Sequence, residues 1–123
     1  MLLQVKEIDT FYGLSHIPFD VSLEVDTGEV VVLLGRNGAG KTTTMRSIMG
    51  LTAPQKGKVL FNGMDITGMP PFRVARLGIG FVPEDRRIFP DLTVRANLDV
   101  GYKKAKDREN KWTLERVYDL FPR

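Results

Sequence analysis

The 123-residue chain has no cysteine and only one tryptophan and one histidine. Without cysteine there is no disulfide framework, and the composition is compatible with a reducing cytosol. No apolar run approaches the roughly 20 residues that span a bilayer. The start lacks a basic segment followed by an apolar one, so no signal peptide is expected. Strong charge of either sign is also missing. Eighteen basic residues against fifteen acidic give +3, too mild a balance to indicate a nucleic-acid partner. Repeats and low-complexity tracts are absent. What remains is 42% hydrophobic, enough for a globular core, in a length that suits one domain or part of one.

Against that background one stretch stands out. Gly35-Arg36-Asn37-Gly38-Ala39-Gly40-Lys41-Thr42 fits the phosphate-binding pattern G-x-x-x-x-G-K-[ST], with Thr43 following. Glycines let the backbone curl so that successive N–H groups point inward at phosphate oxygens. Lys41 reaches β- and γ-phosphates as a point charge, and the Thr42 hydroxyl suits Mg²⁺. The context fits as well. Val30 to Leu34 is a β-branched apolar run of the kind that forms a strand buried on both faces. Met45, Ile48 and Met49 follow at helical spacing, so a helix beginning near Gly40 aims its positive end at the same anion.

Elsewhere the chain reads as short elements. Leu3, Val5 and Glu7-Ile8 suggest a first strand. Phe19, Val21, Leu23 and Val25 alternate with polar residues, the period of a half-buried antiparallel strand. Lys58 to Phe61 is a strand closed by Asn62-Gly63, a strong hairpin signal, with Ile66 on the return. Pro70-Pro71 opens a short helix through Phe72, Val74, Ala75 and Leu77. Ile79 to Val82 is a further strand candidate. Thr93 reads as the N-cap of a helix over Val94 to Val100. The charged run from Lys103 to Lys111 reads as a solvated connection or helix face, and no aromatics interleave it as a nucleic-acid patch would require. Leu114, Val117, Tyr118 and Phe121 then fall on one helical face, and Pro122 stops that helix.

The P-loop, the upstream Phe11-Tyr12-Gly13 loop, Gly57 to Gly63 and, most specifically, the segment from Gly78 through Val82-Pro83-Glu84-Asp85-Arg86-Arg87 to Val94 resemble the nucleotide-binding subunit of ABC transporters. Within that family the last segment is similar to the branched-chain amino acid uptake subgroup of LivF-like proteins. The resemblance runs from the first strand to the last helix. It implies an α/β fold: a partial P-loop NTPase core with an antiparallel β subdomain and the start of a helical subdomain. On that division residues 1–34 and 57–66 are mostly β, 35–51 hold the P-loop and its helix, and 92–123 open the helical part.

The resemblance also implies roles. Tyr12 would stack on adenine, where the residue alone reads as an ordinary packing aromatic. Gly35, Arg36, Asn37, Gly38, Ala39, Gly40, Lys41, Thr42 and Thr43 would bind the phosphates of ATP. Thr42 and Glu84 would contact Mg²⁺, Glu84 standing where most of the family carries glutamine; read alone, it is a surface acid. Ile88-Phe89-Pro90 would lie near the groove that receives a transmembrane permease subunit. A second ATPase subunit, and a cytoplasmic position on the inner face of the membrane, complete the picture.

Two departures accompany it. Where the family reads Thr-Val-x-Glu-Asn-Leu, this chain has Ala96, which removes half of a capping box at a cost of some tenths to about 1 kcal/mol. Secondly, the sequence reaches Arg123 before any signature sequence, switch histidine or apolar run ending in the Walker-B aspartate. The expectation is therefore an N-terminal part of an importer ATPase that binds ATP without hydrolysing it. A soluble ABC-type ATPase and a non-hydrolysing nucleotide-binding module are the alternatives.

Overall fold

The computed structural model describes residues 2–12, 14–16, 20–85, 87–102 and 112–122, with the backbone alone at Phe11, Tyr12, Ser15 and His16. It divides into two compact units, Met1–Val82 and Pro83–Arg123. The first is built on β1 (Leu3–Asp9), an inner strand of an antiparallel sheet. On one side β1 pairs with β4 (Val21–Val25), and on the other with β5 (Lys56–Phe61). β6 (Met64–Asp65) pairs with the far edge of β5, giving the order β4-β1-β5-β6. A separate two-stranded ladder joins β2 (Phe11–Tyr12) to β3 (Ser15–His16).

The expected alternation is visible in burial. Val21, Leu23 and Val25 are half-buried, while Ser22 and Glu24 between them are exposed. Val5 lies opposite Leu23 on one side and Val59 on the other, and Val5 and Val59 are fully buried. In a regular strand residues 5 and 8 would face opposite sides. Here a bulge at Glu7, which sits at φ 47, shifts both registers. Its N–H donates to Ser22 Oγ at 2.8 Å. The extra residue turns Ile8 into the core beside Val5.

The Asn62-Gly63 turn forms as expected. Both residues have positive φ, 49 and 77, the backbone of a type I′ hairpin. Ile66 lies one residue beyond β6, is buried, and donates its N–H to the Val59 carbonyl at 2.9 Å. α1 (Lys41–Ile48) and α2 (Pro71–Arg76) complete the unit. Met49, after α1, and Val74, in α2, join Val5, Ile8, Val59 and Ile66 in the core. Phe72, expected on the buried face of α2, is exposed, with the Arg76 guanidinium over its ring at 5.3 Å. A six-residue helix has room for little more than one inward position, and Val74 takes it.

Two expected strands do not form. Val30 to Leu34 carries no strand, and Val30, Val32 and Leu34 are 88%, 70% and 90% exposed. Ile79 to Val82 is likewise outside any ladder. Ile79 and Phe81 pack on the core, but Val82 is 92% exposed. A run apolar on both faces is stabilised by neighbours on both sides. Among the described residues no strand pairs with either segment.

The second unit holds α3 (Val94–Gly101) and α4 (Leu114–Leu120). Thr93 caps α3 as its sequence predicts, its hydroxyl accepting from Ala96 N–H at 3.1 Å. Thr113 caps α4 in the same way through Arg116 N–H. On the α4 face, Leu114 and Val117 are half-buried, whereas Tyr118 and Phe121 are exposed. The charged run 103–111 lies outside the described residues. Among the described residues no helix is long and apolar enough to cross a membrane.

Candidate functional site

The loop over residues 35–40 opens directly into α1. Gly38 and Gly40 sit at φ 83 and 98, a left-handed region that costs a residue with a Cβ roughly 1–2 kcal/mol. A tight turn precedes the helix, with Ala39 N–H donating to the Arg36 carbonyl at 3.1 Å. Around Gly38 nothing lies within 4 Å of where a Cβ would stand, so its backbone is open to an approaching group.

The start of α1 is electrically bare. Its first intrahelical bond runs from Thr44 N–H to the Gly40 carbonyl at 2.8 Å. The N–H groups of Lys41, Thr42 and Thr43 therefore have no acceptor within the helix. Gly40 supplies no side-chain cap, and no acidic residue sits in the first turn. Helix N-termini attract anions through such donors and the macrodipole together. Lys41 adds a full charge to the same place. Its Nζ donates to the Gly35 carbonyl and, at 3.4 Å, to that of Arg36. The ammonium is thus folded back over the loop, beside the helix start. Thr42 is exposed there and Thr43 half-buried. Curled backbone, a helix end without acid, one lysine and one hydroxyl thus lie together, a combination whose chemistry suits a polyphosphate.

What fixes this loop is a set of polar residues that the helical spacing did not single out. Met45, Ile48 and Met49 were the expected inward face. Met45 is exposed instead, and Thr44 and Ser47 are buried. The Thr44 hydroxyl donates to the Gly40 carbonyl, and Ser47 Oγ donates to that of Thr43. Ser47 Oγ also lies 2.9 Å from the hydroxyl of buried Thr10, just past β1. Asp9, at the end of β1, accepts from Asp20 N–H at its carboxylate and from Gln55 N–H at its carbonyl. Ile48 and Met49 pack on the core as their spacing predicts, and the sheet grips α1 through hydroxyls as well. Their i, i+3 spacing was legible; that they face inward was not, because it depends on what β1 presents.

The far end of α1 is closed as firmly. Gly50, at φ 76, follows the C-cap Met49. Its N–H reaches the Ser47 carbonyl at 3.2 Å, and Leu51 N–H reaches that of Arg46 at 2.9 Å. Those two bonds make a Schellman motif. A Cβ on Gly50 would lie 2.0 Å from the Met69 carbonyl oxygen, so the helix end packs directly on the segment leading to α2.

The remaining sequence-predicted residues lie on other segments of the chain. Tyr12 is in β2, opposite Ser15, and its side chain lies outside the described residues. Glu84 belongs to the second unit and is exposed. Nearby, Arg87 Nε donates to the Asp85 carboxylate at 2.8 Å, a contact that raises the guanidinium above its ordinary pKa. Among the described residues no group of three or more His, Cys, Asp or Glu is placed to hold a metal ion.

The family model described as ABC transporter matches residues 19–121. The chain belongs to this ABC transporter family. It is 36% identical over 122 residues to the high-affinity branched-chain amino acid transport ATP-binding protein BraG of Pseudomonas aeruginosa, covering 99% of this chain and 52% of that one. It is 37% identical over 119 residues to the lipopolysaccharide export system ATP-binding protein LptB of Haemophilus influenzae, covering 97% and 49%. Among solved structures, an ATP-binding subunit of an ABC transporter superposes with a TM-score of 0.70 at 35% identity, over 81% of this chain and 41% of that one. The fold is thus that of the ABC ATPase cassettes, present in part. The chain spans about half the length of the curated relatives it matches.

Proposed function

We propose that this chain is the ATP-binding part of an ABC importer ATPase, whose whole protein couples ATP binding and hydrolysis to uptake of branched-chain-type amino acids. One observation carries the nucleotide assignment. The Gly35–Thr42 loop, with two left-handed glycines, opens an uncapped and acid-free helix beside the Lys41 ammonium. Gly35 to Thr43 take the phosphates, and Tyr12 stacks on the purine.

The residues suit Mg²⁺ as the companion ion. The Thr42 hydroxyl stands exposed at the helix start, and no dedicated cage of acids is found among the described residues. Mg²⁺ is ordinarily held by one or two protein groups plus phosphates and water. When bound, it would neutralise charge on the phosphate oxygens. Glu84 is the second protein ligand in this reading.

The whole protein works with a second ATPase subunit and a transmembrane permease, on the cytoplasmic face of the membrane. Ile88, Phe89 and Pro90 meet that permease. The match to BraG and the Val82–Arg87 segment favour an amino acid as the transported solute. The match to LptB, at 37% identity against 36% for BraG, supports a second reading in which the same half serves another transporter of the family.

Thermal denaturation with Mg·ATP tests the assignment. At 100-fold excess over Kd, ligand should stabilise the fold by about 2.7 kcal/mol, and Lys41→Ala should remove most of that shift. An unchanged shift in the variant refutes the site. The 123 residues by themselves should show only background phosphate release. Phosphoryl transfer also needs an oriented water and stabilised charge, each such group being worth on the order of 10²–10³ in rate. Turnover near 1 s⁻¹ that Lys41→Ala abolishes would place a catalytic base within this chain.

A further inference from the structure

The loop that follows Glu84 exposes Ile88, Phe89 and Leu92 to solvent. An exposed loop of this kind is ordinarily mobile unless its backbone polar groups are tied down. A single side chain ties this one. Asn97, one turn into α3, accepts from Phe89 N–H through Oδ1 at 2.9 Å. Its Nδ2 donates to the carbonyls of Phe89 at 3.1 Å, Leu92 at 3.2 Å and Thr93 at 3.0 Å. Leu92 N–H closes the turn on the Phe89 carbonyl at 3.1 Å. Only a carboxamide offers an acceptor and a two-hydrogen donor on one short planar group, uncharged at every pH.

We propose that Asn97 is a positioning residue for partner docking: it holds Phe89 to Thr93 in one conformation, so that Ile88, Phe89 and Leu92 form a ready-made apolar face for the membrane subunit. This rests on the reading that the Ile88–Pro90 segment meets that subunit. The advantage is preorganisation. A loop already fixed in its bound shape loses less conformational freedom on association. The clamp lies wholly within the second unit.

Hydrogen exchange reads the clamp directly. Asn97→Ala should lower protection of the Phe89 N–H by about tenfold or more, while Ala96 N–H, held by the Thr93 hydroxyl, keeps its protection. Asn97→Asp supplies a signature that simple packing does not. The ionised carboxylate would face three carbonyl oxygens with nothing to donate, whereas the protonated acid can accept and donate as the amide does. Phe89 protection in that variant should therefore rise as pH falls, and stay level in the unsubstituted protein. In the whole ATPase, Asn97→Ala should weaken association with the membrane subunit about tenfold and leave ATP affinity unchanged.

Unchanged Phe89 protection in Asn97→Ala overturns the clamp. If Ala96 also loses protection, α3 has unravelled and the Asn97→Asp profile decides; a level profile overturns the clamp. Lost protection with undiminished association overturns the positioning role. If the unsubstituted ATPase binds ATP but not the membrane subunit, the docking reading falls and the positioning role with it.

Discussion

Two apolar stretches of the first unit make an instructive pair. Lys58 to Phe61 pairs with β1 on one side and β6 on the other, and buries Val59 completely. Val30 to Leu34 is more uniformly apolar and more β-branched, yet it joins no ladder and leaves Val32 70% exposed. Intrinsic strand preference is thus the weaker influence. Lys58 to Phe61 is completed by β1 and by the hairpin partner that the Asn62-Gly63 turn brings beside it. A strand apolar on both faces needs cover on both, and the described residues supply none.

The sharpest way to test the contrast is a pair of glycines with nearly the same backbone, Gly50 at φ 76 and Gly28 at φ 77. Alanine at either carries the left-handed cost of about 1–2 kcal/mol. At Gly50 its Cβ would also strike the Met69 carbonyl oxygen, while at Gly28 nothing lies within 4 Å. Gly50→Ala should therefore lose more than about 3 kcal/mol in a denaturant melt, and Gly28→Ala no more than the backbone cost. Equal losses would erase the distinction between closed and open regions. Next in size, Val59→Ala should cost about 2 kcal/mol through lost burial and the cavity left behind. Val32→Ala should stay within about 0.5 kcal/mol.

The open run carries its own expectation. Unpaired apolar strand backbone invites association, so light scattering should show mass rising with protein concentration. Val32→Lys should suppress that rise without lowering the melting temperature. A monodisperse monomer at high concentration would mean the run is covered after all.

The smallest effect lies at the hairpin end. Hydrogen bonds from the Thr67 hydroxyl and N–H hold the Asp65 carboxyl below its ordinary pKa, with Lys58 adding to the shift. A carboxyl lowered on folding contributes stability above its unfolded value of about 4 and loses it as pH falls through the folded value. Thr67→Val should flatten the acid limb of the stability curve below about pH 4. An unaltered limb would remove this contact from the account.

How much of this was legible follows from which elements are local. The Asn62-Gly63 hairpin, the Thr93 cap and the start of α1 just after Gly40 each depend on residues a few positions apart, and each forms as its sequence predicts. The inward face of α1 followed from the chain only in part, since Ile48 and Met49 pack on the core as expected and Met45 does not. Met45 has the right spacing, but Thr10 meets Ser47 instead. The Glu7 bulge did not follow, since it shows only against the two strands that pair with β1. The Val30 and Ile79 strands were overread for the same reason, since their apolar pattern specifies a partner rather than a shape. Asn97 stands in the Thr-Val-x-Glu-Asn-Leu pattern, but neither that pattern nor any periodicity says that its side chain serves the preceding loop.

The pairing of Val5 with Val59 has a kinetic consequence. That ladder closes a loop of about 50 residues, and the phosphate-binding segment and all of α1 lie inside it. Closing so long a loop precedes the gain from its contacts, so it sets the slow step of folding. The β5–β6 hairpin can form early and alone on its tight turn, but α1 gains its Thr10 anchor only once the sheet has drawn that loop together. Substitutions in the β1–β5 ladder should then slow folding, whereas those in the phosphate loop should mainly hasten unfolding.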